Sequence, residues 1–207
     1  MTPSIPPTST VPPMPGLPGL SPEPAPQPTG RLPAWVRGID RLTDAAAAVA
    51  KWALLAACVI SGGNALVRYG IGISSNGWLE IQWYLFGAGV MLGAAQVLRL
   101  NEHVRVDLFY GRWPARRQVF MDLFGLVVFL LPVMGLLAWL SWPLLVDMLG
   151  SGERSPNAGG LIRWPAMALL PAGFGLLVLQ AFSEIAKRVL WLQGRIEMNL
   201  HYEKPLQ

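Results

Sequence analysis

The chain has 207 residues, of which 53% are hydrophobic and only 14% are charged, and it carries nine tryptophans. Its mean hydropathy is +0.41. A soluble domain of this length needs a charged surface around its core, so this composition excludes an ordinary soluble protein and predicts a membrane protein. The single cysteine, Cys58, excludes an intramolecular disulfide.

Residues 1–33 differ from the rest of the chain because they hold twelve of its nineteen prolines and only two charges. Such a segment cannot form a helix and has little apolar surface to bury, so it predicts a disordered or polyproline-II tail. We therefore divide the chain into this cytoplasmic tail, a membrane domain over 34–195, and a cytoplasmic C-terminal tail over 196–207.

Four apolar segments follow the tail, at about 45–67, 79–98, 123–146 and 165–186. Eighteen uncharged residues separate Glu80 from Arg99. At about 1.5 Å per residue they nearly cross a hydrocarbon core of roughly 30 Å. The predicted fold class is an all-α integral membrane protein with four transmembrane helices and a short interfacial segment between helices 2 and 3.

The basic residues predict the orientation of these helices. From the N-terminus, the five regions before, between and after the spans hold 4, 1, 5, 2 and 4 lysines and arginines. Because cytoplasmic loops are enriched in positive charge, this alternation predicts that both termini and the central loop are cytoplasmic.

The second span has two differentiated faces. Spacings of 7, 4 and 3 place Gln82, Gly89, Gly93 and Gln96 on one helical face, where glycines permit close approach and amides can bond across to a neighbour. Small or polar residues also mark a roughly opposite face: Glu80, Tyr84, Gly87, Met91 and Ala94. The helix is predicted to be packed on both sides, either by a partner subunit or only within the four-helix unit.

A dense polar segment follows the second span and includes Arg99, Glu102, His103, Arg105 and Asp107. It is either a solvated turn whose charges satisfy one another, or an interfacial element bonded to a partner protein or to lipid head groups. A metal or haem site at His103 is not expected, because the only other histidine is His201 in the C-terminal tail.

The sequence lacks the features of a self-sufficient transporter or an enzyme. Spans two and three, and residues 166–183 of span four, contain no charge once Glu80 is placed at the outer edge. No phosphate-binding glycine loop, zinc-ligand spacing or nucleophile–base arrangement is present. We therefore predict no catalytic residue, no substrate- or ion-binding residue, no metal site and no cofactor.

Three stretches carry a family resemblance: Glu80-Ile81-Gln82-Trp83, Leu92-Gly93-Ala94-Ala95, and Asn101–Tyr110 with its HVRVD string. They resemble the DctQ-like small permease subunit of tripartite ATP-independent periplasmic (TRAP) transporters. Two further stretches, Leu140-Ser141-Trp142-Pro143 and Gly152–Pro165, are similar to the branch associated with mannitol and chloroaromatic compounds. The resemblance covers about residues 35–192.

The resemblance implies a non-catalytic subunit in the bacterial inner membrane. Its expected partners are a large TRAP membrane subunit, which holds the substrate and sodium sites, a periplasmic substrate-binding protein, and phospholipids, with no nucleic acid. Transport of an organic acid by the complex is expected to need Na⁺. The residues predicted to meet a partner are Glu80, Gln82, Trp83, Gly89, Gly93, Gln96, His103, Arg105 and Asp107.

Two other functions stay open at this point. The chain could be a small self-assembling multidrug exporter that uses Glu80 as a proton-linked carboxylate, which requires Glu80 deep in the membrane. It could also be an assembly factor for a membrane complex.

Overall fold

The computed structural model describes residues 32–72, 75–101, 113–157 and 159–197. These residues form four long helices: α1 (Ala34–Ile71), α2 (Asn76–Leu100), α3 (Ala115–Ser151) and α4 (Trp164–Leu192). Each is long and apolar enough to cross a membrane, which confirms the prediction of four transmembrane helices. The proline-rich tail up to residue 31 and the polar segment 102–112 lie outside the described residues.

One end of the molecule holds the first residues of α1 and α3 and the last residues of α2 and α4, and we call it the Asp40 end. The opposite end, where α2 and α4 begin, is the Glu80 end. Arg99 lies nineteen positions after Glu80 along α2. At about 1.5 Å per residue the two ends are about 29 Å apart, close to the roughly 30 Å thickness of a hydrocarbon core.

Helix α1 is packed along only part of its length. It begins after Pro33 and ends at Gly72, whose left-handed backbone (φ 74°) lets its N–H donate to the Arg68 carbonyl at 3.2 Å. Its buried residues recur every three or four positions and form one stripe: Val36, Asp40, Thr43, Ala47, Ala50 and Ala53. Beyond this stripe, no described residue of α1 is buried.

Helix α3 contains a π-helical segment, Gly125–Leu130, just before Pro132. Proline lacks the N–H that would bond to Val128 and its ring crowds that carbonyl, so a wider turn at this point relieves the conflict. Leu126 of the wide turn is buried in an apolar cluster with Leu98 and Ala181. Pro143 and Pro171 lie within continuous helix.

Helix α2 lies between α1 and α4. A methyl carbon added at Gly89 would be 2.5 Å from Cγ of Leu54, and one at Gly93 would be 3.7 Å from Cβ of Ala50, so this face of α2 packs closely on α1. Glycines lower the steric barrier to such close helix packing.

The opposite side of α2 packs on α4. A methyl carbon added at Gly173 would lie 2.7 Å from Cβ of Met91 and 2.9 Å from its carbonyl oxygen. Helix α3 packs on α4, and neither α1 nor α2 packs along it. The four helices therefore form an open row in the order α1, α2, α4, α3, with α1 and α3 at the edges.

We predict that Gly173→Ala lowers the thermal midpoint of the purified protein in detergent. The added methyl group would overlap the Met91 backbone, and overpacking of this kind costs about 1–3 kcal/mol. Gly175→Ala is the matched control, because a methyl group there has no neighbouring atom within 4 Å. Equal midpoints for the two variants would contradict the close packing of α2 on α4.

Candidate functional site: two polar clusters

The Asp40 end contains a buried cluster of polar and charged side chains. Helix α4 contributes five of them on one face: Gln180, Ser183, Glu184, Lys187 and Arg188. These residues occupy positions i, i+3, i+4, i+7 and i+8, which lie on one face of a helix. All five are buried, and they pack against polar residues of α1, α2 and α3.

Asp40 of α1 is the centre of this cluster. Its Oδ1 atom accepts hydrogen bonds from Gln180 Nε2 at 3.2 Å, Ser183 Oγ at 2.9 Å and Lys187 Nζ at 3.0 Å. One turn later, the Thr43 hydroxyl donates to Gln180 Oε1 at 2.8 Å. These contacts join the first turns of α1 to the last turns of α4.

Glu184 extends the cluster toward α3. Its carboxylate accepts from Lys187 Nζ at 2.8 Å and from Arg188 Nη1 at 2.6 Å. The same guanidinium donates from Nη2 to Asp122 Oδ2 at 3.1 Å, which joins α4 to α3. Arg188 is therefore shared by two carboxylates, one on its own helix and one on α3.

Arg99, in the last turn of α2, joins the remaining helix to the cluster. Its Nη1 atom donates to the Asp40 carbonyl at 3.2 Å and to the Asp44 carboxylate. Its Nε atom lies 3.8 Å from Asp40 Oδ1. All four helices thus meet in one network of ion pairs and hydrogen bonds.

The buried acidic and basic groups of this network balance, and Asp44 at its edge is half-exposed. Asp40, Asp122 and Glu184 face Arg99, Lys187 and Arg188, and each of these six side chains is at least 86% buried. An unpaired charge costs several kcal/mol in such a place, whereas a hydrogen-bonded pair offsets most of that cost. The network can therefore hold the helices together at this end without leaving an uncompensated charge.

Glu80 organises the opposite end. Its Oε1 atom accepts from the Ser155 hydroxyl and from Asn157 Nδ2 at 2.7 Å, and its Oε2 atom accepts from the Leu161 backbone N–H at 2.8 Å. The side chain is buried. Three donors converge on the two oxygens, an arrangement that suits a carboxylate, which only accepts.

All three donors belong to the connection between α3 and α4, which we call the 152–163 loop. The loop folds back on itself: Ser155 N–H donates to the Leu161 carbonyl at 2.9 Å, and Arg163 N–H to the Glu153 carbonyl at 3.0 Å. Arg163 and Glu153 also form an exposed ion pair. Glu80 therefore fixes the 152–163 loop over the end of α2.

The structure assigns different surroundings to the predicted partner-contact residues. Gly89 and Gly93 lie against α1 within this chain. The Nε2 atom of Gln82 is buried and has no hydrogen-bond partner in the described part of the chain. Trp83 has 71% of its surface exposed, and Gln96 is half-buried.

Three of the predicted partner contacts, His103, Arg105 and Asp107, lie outside the described residues. The structure holds a single chain, so the prediction that these nine residues meet a partner stays a prediction. What the structure adds is that α2 is packed on both sides by α1 and α4.

The Asp40 cluster was not predicted from the sequence. Lys187 and Arg188 contributed to the prediction only as part of the cytoplasmic positive charge. The available signal was the regular spacing of five polar residues from Gln180 to Arg188, which is unusual in an apolar helix. The sequence did not reveal that Asp40 and Asp122 would meet this face.

We predict strong coupling between Asp40 and Lys187. Asp40→Asn and Lys187→Met should each destabilise the protein by about 3–5 kcal/mol, because each leaves the buried network with one uncompensated charge. The double variant should lose much less stability than the two single variants added together, since it removes both charges. Thermal unfolding in detergent gives the stability of the wild type, the two single variants and the double variant. Asp147→Asn, at an exposed position, is the control. Additive losses would show that the pair is not coupled.

We predict that Glu80→Gln loosens the 152–163 loop. The amide keeps one acceptor oxygen but places an NH₂ group against donors, so at least one of the three hydrogen bonds is lost. Hydrogen–deuterium exchange of peptides covering Leu161 should become faster. Glu153→Gln, which affects only an exposed pair, should leave that exchange unchanged. Unchanged exchange in Glu80→Gln would mean that Glu80 does not hold the loop.

The sequence of the chain was also compared with known proteins. The family model for the DctQ component of tripartite ATP-independent periplasmic transporters matches residues 57–190. No curated protein and no solved structure matched. The match spans α2, α3, the 152–163 loop, the last fifteen residues of α1 and most of α4. The chain belongs to the DctQ family, the small membrane component of tripartite transporters that also comprise a large membrane subunit and a binding protein.

Proposed function

We propose that this chain is the non-catalytic scaffold subunit of a sodium-driven, binding-protein-dependent transporter that takes up an organic acid. The proposal rests mainly on one observation, that the buried charged side chains all have bonding partners within the chain. Five charged side chains are buried in the described chain, and every one is engaged: Asp40, Glu80, Glu184, Lys187 and Arg188. Intramembrane charges that serve a transport pathway must instead be able to exchange partners.

The open row of helices supports a scaffold role. A transporter that works alone must enclose a substrate site, usually between repeats or bundles of helices. Here α1 and α3 are edge helices: α1 packs mainly on α2 and bonds to α4 at the Asp40 end, and α3 packs mainly on α4. Long apolar flanks of both helices therefore stay free for another membrane protein or for lipid. The large subunit would supply the substrate and sodium sites.

We assign the Asp40 end to the cytoplasm, with both termini on that side, because of the distribution of arginine and lysine. The Glu80 end then faces the periplasm. The 152–163 loop is a defined surface there, held by Glu80 and closed by backbone hydrogen bonds. It is our candidate for contact with the binding protein, because a pre-organised loop loses little entropy on docking.

Sodium coupling and an organic acid substrate rest on the family resemblance, as does the mannitol and chloroaromatic branch. The rival function, a proton-coupled exporter based on Glu80, is less well supported by the geometry. Glu80 is bound by the 152–163 loop at the end of α2. Its hydrogen bonds from three donors would have to be broken each time it carried a proton.

The test is uptake into liposomes that contain this chain, the large subunit and the binding protein. We predict that uptake of an organic acid needs all three proteins and an inward sodium gradient. We also predict that Glu80→Gln raises the binding-protein concentration needed for half-maximal uptake, without affecting co-purification of the two membrane subunits. Glu153→Gln is the control for this titration.

Two outcomes would contradict the proposal. Transport by this chain alone under a proton gradient would favour the exporter. Full uptake by the large subunit and binding protein without this chain would show that the scaffold is dispensable.

A further inference from the structure

Four arginines at the Asp40 end form no ion pair with any residue that the structure describes. Arg37 and Arg41 lie one turn apart near the start of α1, and Arg116 and Arg117 lie in the first turn of α3. All four side chains are exposed. Each pair therefore presents two positive charges at the surface of an edge helix.

The surroundings explain why these arginines have no acidic partner within the described chain. The carboxylates of the helices at this end are all engaged by other cations. Asp40 and Glu184 bind Lys187, Asp44 binds Arg99, and Asp122 binds Arg188. Beyond α4, Arg195 and Glu197 offset each other in charge. The exposed helical surface of this end is therefore positive, because the carboxylates of these helices are already paired with other basic side chains.

Exposed tryptophans place both arginine pairs at the depth of lipid head groups. Trp35 is two residues before Arg37 and is 52% exposed, and Trp113 is three residues before Arg116. Tryptophan is enriched at the membrane–water interface, where its ring is apolar and its N–H can hydrogen-bond. An arginine beside such a residue can reach a phosphate with its guanidinium fork.

We propose that the two arginine pairs bind anionic phospholipid head groups, one pair at each edge of the helix row. A single acidic segment of a partner protein fits less well, because the pairs lie on α1 and α3, which do not pack on each other. Lipid surrounds both edge helices, and its anionic head groups can supply negative charge beside each arginine pair. The proposal concerns the lipid alone and does not depend on the transported substrate.

The test uses the full chain in vesicles made of equal parts phosphatidylcholine and phosphatidylglycerol, with a small amount of spin-labelled lipid of either kind. Electron paramagnetic resonance then gives the association of each lipid with the protein. We expect a preference for phosphatidylglycerol that weakens as salt is added. Arg37→Gln/Arg41→Gln and Arg116→Gln/Arg117→Gln should each remove about half of this preference, because the other pair remains, and the variant that combines all four changes should remove most of it.

Arg37→Lys/Arg41→Lys is the matched control, because it keeps the charge and should keep most of the preference. Thermal unfolding shows whether each variant is folded, and these exposed positions should leave the midpoint unchanged. The proposal is wrong if the wild-type protein has no preference, or if both glutamine variants keep it. It is also wrong if those variants keep the lipid preference but lose the large subunit on co-purification, since the arginines would then bind a protein.

Discussion

The structure depends on one constraint: charged groups that leave water must satisfy one another. Six charged side chains from four helices converge at the Asp40 end, and three acidic groups face three basic ones. Because an uncompensated charge in such a place costs several kcal/mol, the helices cannot separate there without exposing or stranding a charge. Asp40 is the most connected residue, since it bonds to Gln180, Ser183 and Lys187 on α4 and approaches Arg99 on α2. This network therefore joins all four helices at the Asp40 end.

The rest of the row follows from that arrangement. Glycines at positions 89 and 173 let α2 approach α1 and α4 closely, and Glu80 closes the far end by holding the 152–163 loop. The two polar clusters are about 29 Å apart along α2, so each lies near one surface of a bilayer whose core is roughly 30 Å thick. Between them the helices present mainly apolar side chains outward, as a chain surrounded by lipid and by a membrane partner requires.

The sequence was sufficient to predict what depends on local composition and periodicity. Uninterrupted apolar runs predicted four transmembrane helices, and the spacing of Gln82, Gly89, Gly93 and Gln96 predicted a packed face on α2. The motifs around Glu80 and Leu92–Ala95 indicated the family that the profile match shows. The sequence was not sufficient for contacts between distant residues. Nothing local shows that Asp40 meets Lys187 147 positions later, or that Glu80 binds Leu161 81 positions later. For the same reason the sequence around Glu80 did not indicate that its hydrogen-bond donors come from the 152–163 loop.

The central claim is that the chain is an open row of helices, not a closed bundle around a pathway of its own. Disulfide cross-linking in native membranes tests it most directly, in a Cys58→Ser background. The account predicts efficient cross-links for Ala50→Cys/Gly93→Cys between α1 and α2, and for Gly87→Cys/Leu169→Cys between α2 and α4. It predicts no cross-link for Leu55→Cys/Leu140→Cys, on the exposed surfaces of the edge helices α1 and α3. An α1–α3 cross-link within one chain, as efficient as the other two, would mean that the helices close into a bundle and would contradict the account.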